Sequence, residues 1–462
     1  MKIDKEKIFL FKNESSVISG LFGNKSPLVP DGRIKALKIA AAASYILMLT
    51  IQIYNIITFS GNLLSDEIRY VSDAIWHVEH SSWYPTQHNI NVGSTAGTGL
   101  INFYIFLLRI KDDMKIIYIA QLLLVQLMLF STCYIAKKIT NSNTISWLIC
   151  IFFCLFGTFW SEICVARTEI FFTSLAVFST ALCVKNGKFS VAAAGAILAY
   201  ANWARPLAIA FIVAILWFFL YNGAKLRQYI KLLGAFAATA LVLTTFTYLN
   251  CGEFIYQPTI ASGNFLMGAN EFADGSYNNE IFLEGNAGHL TPEEKREMGP
   301  EKINEFFNGI AKDWIKENPI EYLKLLPKKL FYFLATETYA GSVYFDNKKM
   351  TGGIAYIHEL VSIFNGNGNR SLQFGDIVII YTQGFYMIIL ALFLAGVVYS
   401  MKKGYWRSMS FLYGAFLIGV ASALYTVGAA RYRFPYIFVM IITAAAFVDA
   451  VIIRRKNKSK KI

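Results

Sequence analysis

Apolar residues along this chain gather into long unbroken runs, not into the alternating or three-four spaced stripes of a water-soluble fold. Ten runs stand out, at about residues 36–59, 115–136, 144–160, 170–184, 189–203, 206–222, 232–249, 378–400, 409–427 and 434–453. Most approach the roughly 17 to 25 residues with which a helix crosses ~30 Å of hydrocarbon. The pattern predicts an all-α polytopic membrane protein with about ten transmembrane helices. It divides the chain into a cytoplasmic N-terminal segment (1–35), an N-terminal transmembrane catalytic module (36–249) with a first outer loop at 60–114, an outer loop region (250–377), C-terminal transmembrane helices (378–453) and a basic cytoplasmic tail (454–462).

Polar sequence is concentrated in the two long loops. In the first, the stretch from Glu67 to His80 interleaves Tyr70, Ala74, Trp76 and Val78 with charge, which predicts a helix lying along the membrane surface. Residues 97–110 are apolar but too short to cross comfortably, and they read as an interfacial or re-entrant helix of the same loop. The second loop opens with a Gly/Asn-rich part, Asn264 to Asn270 and on to Gly275. Thr291-Pro292-Glu293-Glu294 then starts a helix with a capping box and a proline at its first position. An amphipathic piece from Asn318 to Phe333 suits the interface. The second loop is therefore expected to be partly helical.

Composition strengthens the membrane reading: 55% of the 462 residues are hydrophobic, only 16% are charged, and the mean hydropathy is +0.45. That leaves too little polar surface for a soluble globule of this length. The net charge of +13 does not call for nucleic acid, because the basic residues stand beside the apolar runs. Lys35 and Lys38, Lys137 and Lys138, Lys185 and Lys188, Lys225 and Lys231, Lys402 and Lys403, and the tail from Arg454 all fall on one side if there are ten spans. This is the positive-inside pattern. Counting 97–110 as a span would invert every later cluster. The first run starts late and is too long for the core of a signal peptide, so no cleavable leader is expected. The six cysteines lie mostly within spans and suggest neither a disulfide framework nor a metal site.

Chemistry is expected where ionisable groups meet the outer ends of spans. Asp66, Glu67, Arg69 and Tyr70 follow the first run; Arg167 and Glu169 lie between the third and fourth; Arg205 joins the fifth to the sixth; Arg431 and Arg433 open the last. Charges beside hydrocarbon are costly unless paired or set in a wet cavity. A carboxylate at such a mouth can take a proton from a neutral hydroxyl, and arginines can bind phosphate through two parallel hydrogen bonds. Asp66, Glu67 and Glu169 are accordingly candidate catalytic acids or bases. Arg69, Tyr70, Arg167, Arg205, Arg431 and Arg433 are candidate substrate-binding groups. The alternative for each is structural: helix capping for Asp66 and Glu67, and pairing of Glu169 with an arginine that holds spans together. The combination fits transfer of a sugar from a polyprenyl-phosphate carrier.

At these residues the chain resembles a known family. Asp66-Glu67-Ile68-Arg69-Tyr70 followed by Trp83 and Pro85 is similar to the first outer loop of the GT-C membrane glycosyltransferases, in particular the bacterial aminoarabinose-transferase and protein-mannosyltransferase-like branch. Ala166-Arg167-Thr168-Glu169 stands where that family has a second acidic outer loop, the Asn264–Asn270 segment resembles its Gly/Asn-rich exocellular part, and Arg431-Tyr432-Arg433-Phe434-Pro435 resembles the arginine-containing start of its last helices. The resemblance implies an inverting transferase with the first acid of the Asp66-Glu67 pair as base. It departs at one point. The aminoarabinose branch carries a lysine after the tryptophan-proline segment, whereas residues 86–108 contain no Lys or Arg, and Arg109 is the nearest substitute.

Neither a P-loop, a Gly-x-Ser-x-Gly elbow nor a His-Glu-x-x-His motif is present in the sequence. The cytoplasmic loops are too short to house a nucleotide-sugar enzyme, so the donor is expected to come from the membrane. No cofactor or metal is expected. The expected partners are a polyprenyl-phosphate sugar, a lipid, glycan or protein acceptor, and membrane lipids, in a bacterial plasma membrane with the active site on its outer face. An O-antigen ligase or polymerase, a transporter of envelope precursors and a non-catalytic envelope scaffold are the competing classes. Five histidines without catalytic pairing speak against the first. The absence of repeated halves speaks against the second.

Overall fold

The computed structural model describes residues 31–59, 63–64, 66–90, 97–257, 261–345, 353–368, 370–403 and 406–453. The segment before residue 31 and the basic tail 454–462 lie outside them. Among the described residues every regular element is helical. We label the principal helices α1 (Asp31–Thr58), α2 (Asp66–Glu79), α3 (Thr98–Ile110), α4 (Lys115–Thr140), α5 (Asn143–Cys154), α6 (Thr168–Lys185), α7 (Ser190–Ala204), α8 (Ala208–Tyr221), α9 (Leu226–Cys251), α10 (Pro292–Glu317), α11 (Pro319–Ala335), α12 (Gly353–Phe364), α13 (Phe374–Lys403), α14 (Trp406–Tyr425) and α15 (Ile437–Val448).

All ten apolar runs are helical, but they are not equivalent. Seven described helices are long and apolar enough to cross a membrane: α1, α4, α6, α9, α13, α14 and the stretch Ala430–Val451 that contains α15. The third run is bent by 66° between α5 and Thr158–Cys164, and it makes an eighth if counted as one broken span. α7 and α8, of 15 and 14 residues, cover only ~20 Å each at 1.5 Å per residue.

The break in the third run leaves backbone carbonyls without helical partners inside the bundle. Carbonyls freed there must be satisfied within the protein, and side chains from neighbouring helices supply the donors. Gln52 and Asn55 of α1 donate to Phe159 O and Trp160 O at 2.7 and 2.8 Å, and Gln121 of α4 donates to Ile163 O at 3.0 Å. Trp160 Nε1 reaches Cys154 O at 2.7 Å, and Tyr381 of α13 reaches Leu155 O at 2.9 Å. Gly157 stands at the bend, where a Cβ would lie 2.0 Å from Thr382 Oγ1, so only glycine lets α13 approach.

The short helix α3 is not a peripheral element. It packs against α2 and α7 and buries Leu100, Ile101, Tyr104, Ile105, Leu107 and Leu108. In the second loop the capping box forms as the sequence predicts: Glu294 N donates to Thr291 Oγ1 at 3.2 Å and Thr291 N donates to Glu294 Oε2 at 2.7 Å. α10 then buries Ile303, Phe307 and Ala311 against Phe265, Leu266 and Ala269 of the Gly/Asn-rich segment. That segment is pressed onto the end of α14, where a Cβ on Gly268 would meet Thr426 O at 1.7 Å.

α11 closes the packing there by burying Lys329 completely. Its Nζ donates to Leu424 O in the last turn of α14 at 3.0 Å, placing a cation at a helix C-terminus. Burial pushes the Lys329 ammonium down to about 8 from an ordinary value of 10.5. The unfolded chain therefore holds this proton over a pH range in which the folded protein has released it, so stability contributed here rises with pH between about 8 and 10.5. In thermal melts across that range, Lys329→Met should flatten the pH slope relative to wild type; parallel slopes would refute the assignment.

Candidate functional site

The first turn of α2 presents Asp66, and the first turn of α6 presents Glu169. Acids are favoured at helix N-termini by the orphan N–H groups and the helix dipole. Arg205 is the residue on which α7 ends, and Arg431 lies in the turn Ala430–Arg433 that leads into the last span. These four side chains meet. Arg431 Nη2 lies 2.8 Å from Asp66 Oδ2 and its Nε 2.9 Å from Glu169 Oε1, and Arg205 Nη1 reaches the same Glu169 oxygen at 2.9 Å. Arg205 also donates to Thr168 Oγ1 at 3.3 Å, and its guanidinium sits 5.7 Å from the centre of the Tyr432 ring.

The two carboxylates differ in environment. The Glu169 side chain is 1% exposed and held by two guanidinium groups, whereas that of Asp66 is 38% exposed. Asp66 has only Arg431 as a partner, and its Oδ1 has none among the described residues. Tyr70, one turn along α2, is buried within range of Asp66, Arg431 and Glu169; burial, reinforced by the Asp66 carboxylate, holds its phenol well above the ordinary range. It stays a neutral hydroxyl.

Beside this cluster lies a narrow cleft with room for about one water molecule, lined by Thr158, Glu162, Arg167, Glu169, Glu337 and Arg431, with Ala430 and Phe434 as its apolar wall. Arg167 Nη2 donates to Glu162 Oε1 at 3.0 Å, and Thr158 Oγ1 donates to Glu337 Oε1 at 2.7 Å. The sequence analysis assigns no role to Glu162, Thr158 or Glu337. Their only signals are an acid just after an apolar run and a lone acid after the apolar end of α11.

The remaining predicted residues are placed elsewhere. Arg433 is fully buried and turned away from the cluster: it donates to the Phe333 carbonyl, to Thr336 O at 2.8 Å and to Glu337 Oε2, and lies over the Tyr386 ring at 4.0 Å. It ties the last span to the end of α11. Glu67 is buried on α2, and Leu64 N donates to its Oε2 at 3.4 Å. Arg69 stands 4.0 Å from Asp73 on its own helix. Arg109, the substitute for the missing lysine, donates to Ser82 O at 2.7 Å and stacks on Trp83 at 4.2 Å, within the first loop. Among the described residues no group of three or more His, Cys, Asp or Glu side chains is placed to hold a metal.

No known family profile matches the chain, and no curated protein does. Among solved structures the chain is similar to the oligosaccharyltransferase of Archaeoglobus fulgidus in its apo form, with a TM-score of 0.47, 11% identity, and coverage of 92% of this chain and 52% of that one. It is also similar to the archaeal oligosaccharyltransferase AglB from the same organism in complex with an inhibitory peptide and a dolichol-phosphate, with a TM-score of 0.44, 10% identity, and coverage of 91% and 52%. The chain spans about half the length of these proteins.

Proposed function

We propose that this protein is a membrane glycosyltransferase of the GT-C type that moves a sugar from a polyprenyl-phosphate carrier to an acceptor hydroxyl at the outer face of a bacterial plasma membrane. The observation that carries this reading is the Asp66–Arg431–Glu169–Arg205 cluster, in which one accessible carboxylate stands beside two arginines at the ends of apolar helices.

Each group then has a distinct task. Asp66, through its open Oδ1, takes the proton of the acceptor hydroxyl as that oxygen attacks the anomeric carbon. The bond from that carbon to the carrier phosphate breaks with its electron pair staying on the phosphate oxygen, which inverts the configuration. Arg431 and Arg205 face the growing negative charge of the leaving phosphate. Glu169 is no base; held by both arginines, it fixes their guanidinium planes. Tyr70 supplies a neutral hydroxyl beside the base.

Sealed right-side-out vesicles carrying the protein test both the chemistry and the side. Given a panel of radiolabelled undecaprenyl-phosphate sugars outside, they should transfer label to a lipid, glycan or protein fraction, and vesicles without the protein should not. Transfer from no donor, or only in inverted vesicles, would defeat the proposal.

A further inference from the structure

We propose that the second outer loop sets the position of Arg431, with Gly275 and Gly428 as positioning residues that hold the strap leading to it; this rests on the transferase reading and deepens it. α14 ends at Tyr425, and residues 426–429 run without helical structure into the turn that carries Arg431. A loose strap would leave that guanidinium unplaced. Val427 is nevertheless fully buried and Ala429 nearly so. Groups of the second outer loop cover this stretch: Lys329 of α11 donates to Leu424 O at 3.0 Å just before it, Phe265 stacks on Tyr425 at 4.3 Å, and Gly268 lies against Thr426 O.

Gly428 is the centre of this contact, three positions before Arg431. Its N–H donates to Gly275 O at 2.9 Å, so a carbonyl of the loop satisfies a strap amide that no helix serves. It also faces α11 so closely that a Cβ there would lie 2.0 Å from Lys329 O. On the other side of the hydrogen bond, Gly275 has a φ of +94°, in the left-handed region that favours glycine, and a Cβ on it would lie 2.7 Å from Lys328 Cβ. Backbone is pressed on backbone, and neither residue can carry a side chain unless the strap or the loop moves. Arg431 feels any such movement, because it bridges Asp66 of α2 at 2.8 Å and Glu169 of α6 at 2.9 Å. Displacing a reacting group by about 1 Å is enough to cost about 100-fold in rate.

Two measurements test this. In native hydrogen exchange of the wild-type protein in nanodiscs, the Gly428 amide should exchange as slowly as those inside α14 although it stands outside any helix; exchange at the rate of an exposed loop would overturn the clamp. In single-turnover transfer from a preloaded donor, followed over hours, Gly428→Ala should lower the rate about 100-fold. In an Arg431→Ala background the same change should cost less than about two-fold, because the group it misplaces is gone. If Gly428→Ala melts well below wild type, Gly275→Ala decides in its place. Gly285→Ala is the control: its φ is also positive, +89°, but a Cβ there meets nothing within 4 Å, and its rate should stay within about two-fold of wild type. An undiminished loss in the Arg431→Ala background, a near-normal rate in the folded variant, or an equal loss in Gly285→Ala would overturn the inference. Failure of the transferase reading looks different: no transfer by wild type while the Gly428 amide stays slow.

Discussion

Replacing Asp66 by Asn is expected to lower transfer by about 100- to 10,000-fold, the range lost when a general base is removed, while donor affinity stays close to wild type. The amide oxygen of Asn can still accept from Arg431 Nη2, now 2.8 Å from Asp66, so the arginine keeps its place and only the basic site is lost. Glu67→Gln should act differently. Glu67 is buried, so the change should cost stability before turnover. Glu169→Gln removes the anion from between Arg205 and Arg431 and should impair both. Single-turnover rates with a preloaded donor, set beside melting temperatures of the same three variants, separate these cases. Near-normal turnover in Asp66→Asn together with a well-folded, inactive Glu169→Gln would move the base to Glu169.

The second large effect is on stability. Arg433→Met leaves Glu337 buried without its guanidinium partner and strips donors from the Phe333 and Thr336 carbonyls. Breaking a buried pair by removing one member typically costs about 3–5 kcal/mol, because the remaining charge is uncompensated. Arg433→Met should therefore unfold at a markedly lower temperature in detergent. Arg433→Met/Glu337→Gln should recover part of the loss, since no unpaired charge remains. Arg431→Ala, at a side chain that is 21% exposed, should cost far less stability and far more activity. If Arg433→Met melted like wild type, the structural tie would be refuted and a direct role for Arg433 reopened.

Arg431 and Arg433 show what can be read from a chain like this one. Two residues apart on a helical turn, they are separated by about 200° around the axis, so they cannot both face one cleft. Sequence alone cannot say which of them does. The packing decides it: the carbonyls at the end of α11 take Arg433, and Arg431 is left to Asp66 and Glu169. Nor could the unbroken apolarity of residues 144–160 show the 66° bend at Gly157, since hydropathy records burial and not direction. That bend is what carries Thr158 and Glu162 into the cleft.

What the sequence by itself determined is local: ten apolar helices, two polar loops, the capping box at Thr291, and acids and arginines at the ends of spans, each a property of neighbouring residues and their cost in hydrocarbon. Which of those charges meet was decided by tertiary structure alone. Asp66 and Arg431 are 365 positions apart, and α2, α6, α7 and the last span converge only when the bundle packs, because a buried charge is tolerable only where the fold delivers its partner.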